Sequence, residues 1–434
     1  MSVCLMCLRR IASKNRLHTF QFIRSYASFF KQLNGFQFEP VPDLEYLLDP
    51  TNRETIKENI KSRKGIGDID LLHKLNEEYK EDSSELVKER LIQTALLIPN
   101  QSSPDTIPGS KGKIVRTHGK KTADVASKSF EDICGSQGLL RFQNIINSTL
   151  VYGARSYNLM GDLARLERAL VHWTIDELEK KGWRYVVVPD MLPEAVVKAC
   201  GFVTTGRQNQ VYKVRPEQGG LCLAGTSEMS LAALHAGTQL GSHTPIKLCA
   251  YSPCYRAEEA RNKIDKGFYR LHQFNKVEMF GVCMPDQSSS LLEEIIDIQC
   301  GLFSQLGLCF NLIEMPSEEL GAPAYKKYDI EAWISRLKHW GEISSASNCT
   351  DYQARRLSIM TQEASFAHTV NGTGCAVPRL LMAIVEQNQM VCTNNGKIVV
   401  PAPLLPYMKL KHLRPSRQLS HYRNFIKKRP MHAD

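Results

Sequence analysis

The chain has 434 residues, of which 43% are hydrophobic and 23% charged, the balance expected of a globular protein long enough for two domains. No run approaches the 18 apolar residues that a membrane-spanning helix needs. The net charge of +10 sits at the ends: residues 1–38 carry six Lys or Arg and no acid, and residues 409–434 carry eight against Asp434 alone, which leaves 41 basic and 44 acidic side chains between them.

The thirteen cysteines are scattered, and the single C-x-x-C, Cys4 with Cys7, lies in the N-terminal segment. Neither a zinc site nor a disulfide framework is indicated, and a reducing compartment fits. There is no H-E-x-x-H and no G-x-x-x-x-G-K-[ST], and the G-x-G pairs at Gly65 and Gly372 lack the rest of a dinucleotide fingerprint.

Residues 1–26 interleave Arg9, Arg10, Lys14, Arg16 and Arg24 with Ile11, Leu17, Phe20 and Phe22. A positive, acid-free amphipathic segment of this kind reads as a mitochondrial transit peptide. From Asn52 to Gln101, apolar residues spaced three, four or seven apart and separated by Lys and Glu predict a helical hairpin. A break at Gly65–Asp68 divides it, with the longer helix second. Residues 100–129, with Pro104, Pro108, Gly109, Gly112 and Gly119, read as a linker. The expected division is therefore an N-terminal domain at 40–128, a core at 129–408 and a basic tail at 409–434.

Within the core, Leu163, Leu166, Leu170, Trp173 and Leu178 form one apolar helix face, Gly182 caps that helix, and Trp183–Val188 is a strand stopped by Pro189. Leu221–Glu228 reads as a strand from which Thr226 and Glu228 project on one side. Tyr255–Phe280 predicts two antiparallel strands around the charged run Glu259–Gly267. Arg256, Glu258, Arg270, Lys276 and Glu278 fall at or inside these strands, where unpaired charges would cost roughly several kcal/mol. Solvated charges on a surface hairpin would look the same. Glu342–Asn348 packs an acid with three serines, either a serine-rich turn or a place for a cation and phosphate. Finally, NGTGCAVPRLL enters an apolar helix with Pro378 in its first turn and Arg379 beside it, aimed at an anion or paired with a core acid.

In this order the elements resemble the three motifs of class II aminoacyl-tRNA synthetases. GFYRLHQFNKVEMFG, YDIEAW, GEISSASNCTDYQARRL and HTVNGTGCAVPRLL are similar to segments of the seryl-tRNA synthetases, the last in its mitochondrial form. The resemblance implies an α+β fold: a class II synthetase catalytic domain, an antiparallel sheet of six or seven strands flanked by helices, with a shortened N-terminal helical arm. It also implies a dimer, either a homodimer or a heterodimer with another synthetase subunit. The implied reaction joins serine and ATP to seryl-adenylate and transfers the seryl group to tRNA(Ser) in the mitochondrial matrix.

The same resemblance assigns roles. Arg256 would sit on the α-phosphate and on serine, Arg379 on the γ-phosphate, and Glu342 with Ser345 on Mg²⁺. Phe274 would stack on adenine, Glu258 would read its amino group, and Arg270 and Leu271 would complete the ATP site. Thr226 and Glu228 would take the serine ammonium, and Glu278 and Thr373 its hydroxyl. A site that hydrogen-bonds a hydroxyl rejects alanine by a factor on the order of 10⁴. The chain departs from the family pattern in the loop EARNKIDK, where Lys266 replaces an arginine, and in its short arm. These departures are what a non-catalytic paralogue would show, one acting as a heterodimer subunit or an RNA-binding protein. The basic tail is expected to add salt-sensitive phosphate contacts to RNA.

Overall fold

The computed structural model describes residues 40–63, 67–121, 128–142, 155–204, 206, 209–214, 220–241, 244–257, 267–336, 338–388 and 398–416. The expected transit peptide, Gly65, the loop 258–266 with Glu258 and Lys266, and the tail beyond 416 lie outside these residues.

After a single turn at Leu44–Leu47 come three helices, α1 (Arg53–Ser62), α2 (Ile69–Glu81) and α3 (Glu85–Leu97). The long second helix expected from spacing is thus two. Asp82 turns extended at φ −120° and ψ 96°, and the Ser84 hydroxyl accepts the Val87 N–H at 3.4 Å, starting a new helix. The hairpin proper is α2 against α3, closed over buried Leu72, Leu75, Leu91 and Ala95. At 1.5 Å of rise per residue, each helix reaches only about 20 Å.

The base of this arm is fastened to the core by polar bonds. The Asn100 amide donates to the carbonyls of Pro323 at 2.8 Å and Cys349 at 2.9 Å, and buried Arg63 donates to the carbonyls of Asn100 at 2.7 Å and Gly321.

The core begins with β1 (Lys113–His118), α4 (Phe130–Ser136), β2 (Leu140–Phe142), β3 (Tyr157–Leu159), α5 (Gly161–Lys180) and β4 (Arg184–Tyr185). Next come β5 (Met191–Pro193), β6 (Lys213–Val214), β7 (Leu221–Leu223) and α6 (Ser227–Leu234), then β8 (Ile246–Tyr255) and β9 (Gln273–Cys283). After α7 (Ser288–Gln305) come β10 (Phe310–Glu314), β11 (Lys326–Ile334), β12 (His339–Thr350), α8 (Tyr352–Leu357), β13 (His368–Ala376) and α9 (Val377–Gln387).

Eight strands form one sheet in the order β1-β10-β11-β12-β13-β9-β8-β4, antiparallel except for β4 beside β8. This is one strand more than the six or seven expected. Strand β1 comes from the segment read as a linker, where Gly112 and Gly119 hide the alternating Lys-Ile-Val-Arg-Thr-His between turn signals. Residues 113–118 therefore belong to the core sheet, and the expected strand 183–188 shrinks to β4.

Helix α5 buries Leu163, Leu166, Leu170, Trp173 and Leu178, and Gly182 at φ +82° closes it with the Gly182 N–H on Glu179 and the Trp183 N–H on Leu178. Helix α7 approaches the sheet where the strands carry glycine. A Cβ on Gly372 would lie 2.3 Å from Ile295 Cγ2, and one on Gly281 would lie 2.5 Å from Leu291 Cδ2. All ten described cysteines are buried and free. Among the described residues, no helix is long and apolar enough to cross a membrane.

Candidate active site

The site lies on the sheet where β8, β9, β13 and β12 run side by side. Along β9, strand parity puts Phe274, Lys276 and Glu278 on one face. Residues 342 and 345 on β12 would ordinarily point to opposite faces. The register pairs Glu331 with Glu342, Ile330 with Ser344 and Asp329 with Ser345, so Ile343 is an extra, bulged residue. The bulge turns Glu342 and Ser345 to the same side. A second register shift, at Gly374 on β13, lets Thr373 face Glu278 and Ala376 face Lys276. One buried amide ties both irregular stretches together: Gln299 Nε2 lies 2.9 Å from Ser344 Oγ, 2.9 Å from the Ser345 carbonyl and 3.0 Å from the Thr373 carbonyl.

These strands enclose a cleft lined by Arg256, Tyr269, Arg270, Leu271, Phe274, Lys276, Glu342, Ser345, Thr373 and Arg379. The Arg256 Nε donates to the Gly225 carbonyl at 3.2 Å, and its guanidinium stands 5.3 Å from the centre of the Phe274 ring. Arg379, in the first turn of α9, reaches the Glu342 carboxylate at 3.0 Å and the Glu342 carbonyl at 3.1 Å, and packs 4.4 Å over the Tyr269 ring. The Tyr269 hydroxyl donates to the same carbonyl at 2.7 Å. Burial opposes ionisation of Glu342. The neighbouring Arg379 and Lys327 cations outweigh it and hold the carboxyl well below the usual carboxylate range. Opposite it, burial together with Asp329 and Glu342 pushes Glu331 up to about 7. The cleft thus sets two arginines around a fixed carboxylate, a surface suited to a phosphorylated anion with a cation on it.

Behind the cleft is a closed polar subsite. Thr226 and Glu228 do not project from a strand as expected: the strand β7 ends at Leu223, and Thr226 caps α6, its hydroxyl accepting the Glu228 N–H at 3.2 Å. Glu228, in the first helical turn, accepts from Gln353 at 2.6 Å and Asn371 at 3.1 Å. Burial, and then the nearby Glu278 carboxylate, push Glu228 up to about 7. Glu278 accepts from Thr373 at 3.2 Å and is ion-paired with Lys276, whose ammonium also donates to Thr226 at 2.8 Å.

Of the residues expected at a site, the structure gathers Arg256, Arg270, Leu271, Phe274, Glu342, Ser345, Thr373 and Arg379 around the cleft and Thr226, Glu228 and Glu278 behind it. Glu258 falls outside the described residues. Sequence reasoning counted Lys276 among the hairpin charges without giving it a role, although its parity with Phe274 and Glu278 places it on their face. Tyr269 lies within the hairpin stretch but carried no assigned role, and Gln353 and Asn371 are neutral side chains far along the chain with no local signal.

Residues 212–388 match the class II tRNA synthetase core domain (G, H, P, S and T). The chain is 42% identical over 333 residues to the mitochondrial serine–tRNA ligase of Mus musculus, an alignment covering 74% of this chain and 63% of that protein. It is 35% identical over 398 residues to the mitochondrial serine–tRNA ligase of Saccharomyces cerevisiae, covering 87% of each. The chain thus spans less than two thirds of the mouse protein and most of the yeast one. Among solved structures, it superposes on the cytoplasmic serine–tRNA ligase of Naegleria fowleri in complex with AMP with a TM-score of 0.77 and 27% identity, covering 87% of this chain and 99% of that one. The seryl-tRNA synthetase of Pyrococcus horikoshii complexed with ATP gives a TM-score of 0.72 and 28% identity, covering 92% and 93%.

Proposed function

The chain belongs to the serine–tRNA ligase family of class II synthetases, and from that premise we propose that it activates serine with ATP and transfers the seryl group to tRNA(Ser). The observation that carries this reading is the adjacency of two arginines flanking an ionised carboxylate to a closed subsite with two acids and two threonines.

In the first step, a serine carboxylate oxygen attacks the α-phosphorus while the bond to the β-phosphate oxygen breaks and pyrophosphate leaves. The nucleophile is already ionised, so no general base is needed, and catalysis reduces to placement and charge neutralisation. Arg256 neutralises the α-phosphate and orients the serine carboxylate. Arg379 holds the γ-phosphate. Phe274 offers its ring to adenine, with Arg270 and Leu271 completing that wall and Glu258 reading the exocyclic amine. Glu228 takes the serine ammonium with Thr226 beside it, and Glu278 with Thr373 takes the hydroxyl.

One hard cation suits the donor set. Glu342 is kept ionised by its neighbours, and Ser345 shares its face through the bulge at Ile343, so a carboxylate and a hydroxyl would hold Mg²⁺ with phosphate oxygens filling its shell. That ion would neutralise charge on the β- and γ-phosphates.

The mitochondrial names of the relatives and the acid-free segment 1–26 support a mitochondrial protein, and we assign it to the matrix. We assign the helical arm within residues 40–128 to tRNA contact, the core at 129–408 together with the strand at 113–118 to catalysis, and the basic residues beyond 416 to a tail, in a homodimer or a heterodimer with another synthetase subunit. The reading is tested by charging purified tRNA(Ser) with serine using the full chain and no other protein. Accumulation of seryl-tRNA is the expected outcome, and its absence when seryl-adenylate is still formed would limit the chain to activation.

A further inference from the structure

Among the described residues, the subsite behind the cleft holds two carboxylates and one ammonium of its own, with the Arg256 guanidinium of the cleft also acting on Glu228. Glu228, 7% exposed, is bonded by two neutral amides, Gln353 at 2.6 Å and Asn371 at 3.1 Å. Glu278, 1% exposed, is bonded by Thr373 at 3.2 Å and by the ammonium of Lys276, which is itself 6% exposed. Lys276 reaches Thr226 as well, so a single buried ammonium spans the two halves of the subsite. Thr373 and Lys276 both bond Oε2 of Glu278, and among the described residues Oε1 remains for a substrate group.

A buried ion pair is a poor device for stability. Isolating two charges from water costs several kcal/mol per ion, roughly, and well-packed neutral replacements are often as stable. The pair therefore calls for a reason in recognition. If both carboxylates were unbalanced, an amino acid with a second ammonium would be the better ligand, because each acid would find a cation. With Lys276 on Glu278, the position facing a substrate side chain is neutral overall and bonds a neutral hydroxyl. A second ammonium placed there would sit against that of Lys276.

We propose that Lys276 is a specificity-determining residue: by neutralising Glu278, it makes the side-chain subsite read a hydroxyl and reject an amine, and leaves Glu228 as the seat of the α-ammonium. This rests on the serine-activating reading and adds to it a discrimination by charge. It is separate from rejection of alanine, which comes from stranding polar groups, and of threonine, which comes from shape.

The test compares serine, alanine and 2,3-diaminopropionate, in which an amine replaces the hydroxyl, in ATP–pyrophosphate exchange by the full chain. The wild-type protein is expected to rank serine above alanine and diaminopropionate last. In Lys276→Met, the ratio of kcat/KM for diaminopropionate to that for serine should rise about tenfold or more, since an unbalanced buried carboxylate now seeks a cation. The double change K276M/E278Q should return the ratio toward that of the wild-type protein. Because the readout is a ratio within one preparation, partial loss of folded enzyme cancels.

A purely structural role for Lys276 would depress both substrates together and leave the ratio unchanged, and that result overturns the inference. So does a wild-type protein that uses diaminopropionate better than alanine, an outcome readable even if the variants do not fold. Absence of any serine-dependent exchange in the wild-type protein is a different failure, one of the serine-activating reading itself.

Discussion

As the proposed seat of the serine ammonium, Glu228 predicts a pH dependence of binding. Its ionised form is the one that pairs with an ammonium, and burial beside Glu278 raises its pKa to about 7. Serine binding then releases a proton wherever the free site is protonated, so serine affinity falls as pH drops below about 7 and levels off above it. In exchange assays, KM for serine should climb tenfold per pH unit well below that value, while KM for ATP moves little. A KM for serine flat from the alkaline side down through pH 6 contradicts this assignment.

At Thr373, removing the hydroxyl with Thr373→Val strips Glu278 of one donor at nearly constant volume. The loss is about 1–2 kcal/mol, or roughly tenfold in kcat/KM for serine. The legibility of single residues followed their charge. Arg256, Glu278, Glu342 and Arg379 stand on apolar strands or helix starts, where a bland role is hard to find. Gln353 and Asn371, which hold Glu228, are neutral and look like any polar residue.

Helices and strands were largely readable from periodicity, and their irregularities were not. The α5 helix with its Gly182 cap and the β8–β9 hairpin follow from apolar spacing and a positive-φ glycine. The bulge at Ile343 does not: Gly-Glu-Ile-Ser-Ser alternates no better or worse with the bulge than without it, and cross-strand pairing decides its register. The arm was misread for the opposite reason, since apolar spacing continues across Asp82–Ser84 although the backbone turns there.

Packing makes two element-level predictions. Gly372→Ala would put a methyl group 2.3 Å from Ile295 Cγ2 and push α7 off the sheet. The expected cost is about 1–3 kcal/mol, seen as a Tm lower by a few degrees. Asn100→Ala removes three bonds at the base of the arm, to Pro323, Cys349 and Thr350, and strands buried carbonyls at about 1–3 kcal/mol. Hydrogen exchange of α2 and α3 should accelerate in that variant while exchange in β9 stays slow.

At the scale of the whole molecule, charge is segregated toward the ends, but the basic tail does not begin where composition suggests. Residues 398–416 are part of the fold. Leu413 is buried, the Leu413 N–H bonds the Ile398 carbonyl at 2.9 Å, and Arg414 grips Asp162 at the start of α5 at 2.8 Å and 3.0 Å. A truncation that removes 412–434 therefore unpins α5 and should lower the Tm. Removing only 417–434 tests the tail itself, with the expected result that tRNA binding weakens at low salt and its salt dependence flattens at unchanged Tm. Equal tRNA affinity and salt slope in the two proteins would dispose of a tail contact.

The arm, with helices of about 20 Å, has little reach. Under the proposed function, the core and the basic residues beyond 416 would carry more of the contact to tRNA than a long lever does.

The measurement closest to the central claim is serine-dependent exchange of labelled pyrophosphate into ATP by the purified, folded chain. The arrangement of Arg256, Arg379 and Glu342 around the cleft, with Glu228 and Glu278 behind it, predicts exchange that requires serine, is far weaker with alanine, and falls to background in Arg256→Ala. No exchange above the rate without amino acid, at saturating serine and ATP with Mg²⁺ supplied, would contradict it.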